Sequence, residues 1–94
     1  MSLPFQEELV SSGVFLRKFS SKVDRQELMW HRDGEDRMIE VIASNGWKLQ
    51  VDNNLPCELF PGDKYLIKRG DWHRVIAGSG DLLLSIQKME NDDG

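Results

Sequence analysis

The chain carries two histidines, His31 and His73, and one cysteine, Cys57, beside sixteen acidic residues. Imidazole is largely neutral near pH 7, and its nitrogen binds borderline divalent metals without adding charge. Two imidazoles rarely hold a catalytic metal alone, so a metal site here needs a carboxylate as third ligand. Asp33 follows His31 by two residues and shares its face wherever that segment is extended. Glu35 and Asp36 fall in the charged run Arg32 to Arg37, which reads as a solvated hairpin tip. Cys57 precedes Glu58, whose charge disfavours a thiolate, and no base adjoins it in sequence. It reads as a buried structural cysteine rather than a nucleophile. A lone cysteine also excludes an intramolecular disulfide and a CxxC zinc knuckle. There is no Gly-rich phosphate loop, dinucleotide fingerprint or local Ser-His-Asp arrangement.

Short strands must position these groups. Residues 14–19, 27–31, 38–42 and 47–51 are rich in β-branched, aromatic and aliphatic side chains and are bounded by Ser, Gly, Asp and Asn. Trp47, Leu49 and Val51 alternate with Lys48, Gln50 and Asp52, the period of two expected of a half-buried strand. Residues 57–60, 65–67, 74–77 and 82–87 follow, separated by Pro61-Gly62-Asp63, Arg69-Gly70-Asp71 and Gly78-Ser79-Gly80-Asp81. The helical candidate is Pro4 to Val10, of at most one turn, where Glu7 and Glu8 suit a helix start. Eight short antiparallel strands in one small domain predict an all-β sandwich or barrel, since closure removes edges that would otherwise aggregate.

With 94 residues the chain suits a single core, and 39% hydrophobic with 30% charged residues fits a globular domain. The expected division is an N-terminal segment over 1–12, a barrel over 13–89 and a fraying acidic tail over 90–94. No apolar run approaches the roughly 20 residues that span a bilayer, and the start lacks a basic stretch followed by an apolar one. No membrane association is expected, and with one cysteine the expected setting is the cytoplasm. A formal net charge of -4, with basic residues scattered among acidic ones, argues against nucleic-acid binding.

From Gly62 to His73 the chain resembles the second conserved motif of the cupins, which runs Gly, five residues, Pro, one residue, Gly, two residues, His. Gly62, Gly70 and His73 fall in register, Asp63 takes the acidic position after the first glycine, and Lys68 replaces the proline. Gly62 lets the chain turn into a strand, Gly70 permits a positive φ, and the next strand aims His73 inward. The segment from His31 resembles the first cupin motif, with Asp33 in the slot of its second histidine and Met38 in its carboxylate slot. The implied fold is a single-domain cupin-type double-stranded β-helix, a jelly-roll barrel. Metal-binding cupins usually hold iron, manganese, nickel or zinc on three histidines and a carboxylate, and both histidines of this chain land on ligand slots. The resemblance therefore implies His31 and His73 in one cavity with Asp33 or Glu40 as the completing ligand. Glu40 is proposed because it shares a strand face with Met38. Met38 and Trp47 are the candidate walls of a small-molecule site. Trp30 and Trp72 directly precede the histidines, so in strands they point outward, as does Arg74. Those tryptophans suggest a homodimer.

The expected function is binding of a small molecule, with a divalent metal, inside the barrel. The alternatives are a metal-dependent dioxygenase or isomerase and a catalytically silent dimeric interaction domain. The incomplete first motif weighs against the enzyme.

Overall fold

A computed structural model describes residues 4–89. Eight strands follow in chain order, β1 (Gln6–Ser11), β2 (Val14–Phe19), β3 (Asp36–Ala43), β4 (Lys48–Val51), β5 (Cys57–Glu58), β6 (Lys64–Ile67), β7 (His73–Ile76) and β8 (Leu82–Met89). They form a five-stranded sheet, ordered β1-β2-β8-β3-β6, and a three-stranded sheet, ordered β5-β4-β7. All the pairings are antiparallel. The two sheets enclose one apolar interior, the arrangement by which antiparallel sheets hide their inner faces. The acidic tail over 90–94 lies outside the described residues.

Two expectations about the elements need correction. Pro4 to Val10 does not form a helical turn, since Gln6–Ser11 is an edge strand hydrogen-bonded to β2. Every residue of β1 is exposed. Its sequence therefore carries no burial alternation, and Gln6, Glu7 and Glu8 serve a solvated edge as well as a helix start. Nor do residues 27–31 form a strand. Asp24 caps a one-turn 3-10 helix over Arg25–Glu27 by accepting the N–H of Gln26 at 2.9 Å. Of these residues His31 alone forms a β-bridge to β7, an isolated one to His73.

The core sits between the sheets. Trp47 is fully buried, tilted against Phe19 at a ring distance of 5.5 Å, and its indole N–H donates to the carbonyl of Gly80 at 2.6 Å. A buried indole is stable only with such a partner. Leu82, Leu84 and Ile86 alternate along β8 onto the same interior, and Ile39 and Val41 do so from β3. This alternation also sets what β3 shows to the cavity. Ile39 and Val41 face inward, so Arg37 does too, while Met38 and Glu40 face away.

Candidate metal centre

The cavity opens at the end of the barrel where His31 and His73 pair. Its volume is about 380 Å³, and its walls are mainly apolar. The two histidines exchange backbone hydrogen bonds in both directions, each N–H donating to the other's carbonyl at 2.9 Å. Directly opposed residues of an antiparallel pair put their side chains on the same face. The imidazoles therefore meet, with ring centroids 4.1 Å apart. Gly62 and Gly70 both adopt positive φ, +92° and +84°, and so make the turns that lead the chain into β6 and then to His73. Asp33 is tied to the second of these turns. Its carbonyl accepts the N–H of Gly70 at 3.0 Å, and Asp36 Oδ1 accepts the N–H of Arg69 at 2.7 Å.

His31, Asp33 and His73 thus come together, each offering one ligand atom, all within 4.8 Å of one another. His73 is 5% exposed, and the Asp33 side chain 10%. The Nδ1 of His73 lies 2.8 Å from the carbonyl of Asp71. A carbonyl can only accept, so this nitrogen carries a proton, and Nε2 is the ring nitrogen left to face the cavity. That Nε2 faces Asp33 Oδ2 at 3.3 Å, yet Oδ2 is buried and takes part in no hydrogen bond among the described residues. A cation between these two atoms, a proton on Nε2 or a metal ion, would satisfy both. A buried polar atom left without a partner costs about 1–3 kcal/mol. The backbone carbonyl behind His73 is the kind of outer contact that orients a metal-binding imidazole. His31 has a similar but longer contact, Nδ1 to the carbonyl of Met29 at 3.4 Å. Burial, and then the neighbouring His73, push the pKa of His31 below its ordinary value of 6.5, which favours the neutral ring that binds metal. The donor set of two imidazoles and a carboxylate suits zinc, iron, manganese or nickel.

Other candidates lie elsewhere. Glu40 and Met38 occupy the opposite face of β3, where Glu40 pairs with Lys64 of β6 and Ser85 of β8. Their motif slot implied an inward face, but the buried Ile39 and Val41 fix the opposite phase. Trp47 is core and does not line the cavity. Cys57 is exposed, not buried, with Sγ 3.4 Å from the Tyr65 hydroxyl. Glu35 is not at a freely solvated tip, since it pairs with Arg37 at 3.2 Å.

Two cavity residues were missed by reading the sequence for ligands. Arg37 pairs through Nη2 with Asp33 Oδ1 at 3.3 Å, which holds the carboxylate with its other oxygen toward His73. Arg17 projects inward from β2 between Phe15 and Phe19 and pairs with Glu7 of β1. Its position in that alternation was the available signal. A second signal was also present. Trp-His-Arg occurs twice, at 30–32 and at 72–74. The His31 to His73 bridge sets the two copies antiparallel, so Arg74 lies over Trp30 at 4.9 Å and Arg32 over Trp72 at 5.0 Å. These stacked pairs stand outside the barrel, with Trp30 38% and Trp72 42% exposed.

No family model matches the sequence, and no curated protein matches it either. Solved structures do. A cupin-2 domain protein from Shewanella frigidimarina superposes with a TM-score of 0.65 at 14% identity, over 90% of this chain and 79% of that one. A chain from the structures of the DMSP lyases RdDddP and RnDddQII gives 0.71 at 17% identity, over 85% of this chain and 40% of that one. FeII HppE in complex with substrate gives 0.64 at 9% identity, over 93% of this chain and 54% of that one. The chain thus spans about half the length of these two enzymes or less. Its fold is the cupin jelly roll. Among the described residues no helix is long and apolar enough to cross a membrane.

Proposed function

We propose that this chain is a small-molecule-binding cupin whose cavity holds a divalent metal ion on His31, Asp33 and His73. The observation that carries the reading is the buried Asp33 Oδ2, which has no hydrogen-bond partner among the described residues and faces the Nε2 of His73 at 3.3 Å. When bound, the ion would supply a Lewis acid beside an apolar pocket. The cavity of about 380 Å³ lies within the size range of small-molecule sites.

The test is thermal denaturation of protein stripped with chelator and then titrated with Zn2+, Mn2+ or Ni2+. Binding to the folded state alone raises the melting temperature by mass action. The expected result is a saturable rise that His73→Ala and Asp33→Asn remove. If the wild type shows no rise, the metal reading fails and the cluster becomes a structural imidazolium-carboxylate pair.

A second reading, a metal-dependent enzyme, is favoured by the three-ligand set beside an open cavity and by the likeness to FeII HppE. Three protein ligands leave room for a substrate on the ion. Metal-dependent turnover of any compound that binds would separate it from a binding protein. We also propose a homodimer through the outer face that bears Trp30 and Trp72, since paired exposed tryptophans are typical interface residues. Sedimentation of a 10.8 kDa species at all micromolar concentrations would rule this out. A catalytically silent interaction domain would show the dimer without any metal response. The cytoplasm is the setting proposed for this activity, supported by the single cysteine.

A further inference from the structure

We infer that the ligand of this cavity is a small amphipathic carboxylate, whose anionic end is received by Arg17, with Arg37 beside it, and whose apolar body lies in the barrel. The inference deepens the small-molecule reading and rests on it. It does not require the metal.

Two guanidinium groups inside a barrel this small call for an explanation. The Arg17 and Arg37 side chains are each only 13% exposed, and both border the cavity. They approach it from the two strands that flank β8, Arg17 opposite Leu84 and Arg37 opposite Lys88. Between their rows runs Ile86, so the two cations stand on one concave face with an apolar floor. Burial is the main influence that pulls the Arg17 pKa down, and Arg37 adds to it by repulsion, which places the two charges in each other's field. A guanidinium cannot shed its proton at neutral pH, so it needs anions or acceptors instead.

The chain itself supplies these incompletely. Arg17 directs both Nε and Nη2 at a single oxygen, Glu7 Oε2, and stacks on Phe5 with its central carbon 3.9 Å from the ring centroid. Arg37 shares Nη2 between Asp33 and Glu35, and its Nε is buried with no acceptor among the described residues. Both counter-ions of the rim, Glu7 and Glu35, are more than twice as exposed as the arginines they serve, at 27% and 28%. Arg37 Nε is therefore a buried donor that no described residue satisfies. A carboxylate matches a guanidinium edge with two parallel hydrogen bonds. Glu27, His31, Asp33 and His73 also border the cavity, and Phe5, Phe19, Leu28, Ile39, Leu49 and Val75 make the larger part of its wall apolar. An acid with a compact aromatic or aliphatic body satisfies both halves.

Phenylacetate and its neutral amide, phenylacetamide, provide the probe pair, since they differ little except in charge. Binding to the full chain is measured by calorimetry, first after chelator treatment and again with Zn2+ present. The expected result is binding of the acid at least roughly tenfold tighter than that of the amide in the metal-free protein, the strength of charge-assisted hydrogen bonds. Arg17→Gln should reduce the acid to the level of the amide and leave the amide unchanged, and Arg37→Gln should weaken the acid to a smaller degree. If Arg17→Gln does not fold, the ratio in the wild type and in Arg37→Gln still decides. Equal affinities for acid and amide, or binding of neither at millimolar concentration, would overturn the inference. So would a preference for the acid that appears only with Zn2+, because the ion and not the arginine would then be the receptor. A preference for the acid without any response to Zn2+ would uphold this inference while the metal reading fell.

Discussion

The two ends of the barrel interior are built on opposite terms. At one end Trp47, Phe19, Leu82 and Val41 pack against each other, and the single polar group among them, the indole N–H, is satisfied by Gly80. At the other end His73, Asp33, Arg37 and Arg17 are nearly as well hidden, yet Asp33 Oδ2 and Arg37 Nε have no hydrogen-bond partner among the described residues and a cavity remains open beside them. The same two sheets form both ends. The packed end gains from burial and dispersion, while the polar end holds charges that are expensive to bury unless they are paired. The packed core and the candidate site are thus separated along the barrel.

That separation can be broken at either end, with different consequences. The largest effect is expected from Trp47→Ala, which should remove about 3–5 kcal/mol of unfolding free energy in a urea titration, since it empties the centre of the core. Loss of the folded state would still agree with the comparison. A cost below about 1 kcal/mol would mean that the packed end is not where stability resides. Next is His73→Ala. It should remove the Zn2+-dependent rise in melting temperature while costing the metal-free protein less than Trp47→Ala does. Equal losses of metal-free stability in the two variants would erase the distinction between the ends. Asp33→Asn should likewise remove the response to metal and leave the far-ultraviolet circular dichroism spectrum unchanged.

The smallest effect lies at the packed end, on its surface. Asp81 Oδ1 accepts the N–H of Ser21 at 2.7 Å, joining the loop after β2 to the start of β8. That hydrogen bond is the first cause that holds the Asp81 pKa below its ordinary 3.8, and Lys18 adds to it. A depressed acid stabilises the fold above its unfolded value, and the contribution disappears as the pH falls from about 3.8 through the lower folded value. Asp81→Asn should therefore flatten the acid limb of the stability profile slightly and change nothing at pH 7 in the response to Zn2+. The carboxyl is fully exposed, so solvent screening keeps this effect small. A changed metal response in this variant would show that the two ends are coupled.

How far the residues announce this design differs by region. The strands β2, β3, β4, β6, β7 and β8 were visible because each alternates or is punctuated by Gly and Asp turns. Edge strand β1 was not, since a strand with both faces in water has no pattern to read. The bridge at His31 was read as a full strand, because β-favouring residues are present there while only one of them finds a partner.

The sequence by itself determined an all-β sandwich or barrel through its short strands of period two, and the resemblance of Gly62 to His73 to a cupin motif implied the jelly roll and one cavity for the two histidines. It could not determine the phase of β3. A shift of one residue exchanges Arg37 for Met38 at the cavity, and local alternation around Arg37-Met38-Ile39-Glu40-Val41 permits both phases in a motif alignment. Only pairing with β8 and β6 decided it, by burying Ile39 and Val41 against Ile86 and Leu84. The same decision brought Arg37 to Asp33, turned Glu40 away and left the carboxylate choice to Asp33. Which charged groups share a cavity depends on contacts between strands far apart in the chain, and those contacts exist only once the barrel has closed.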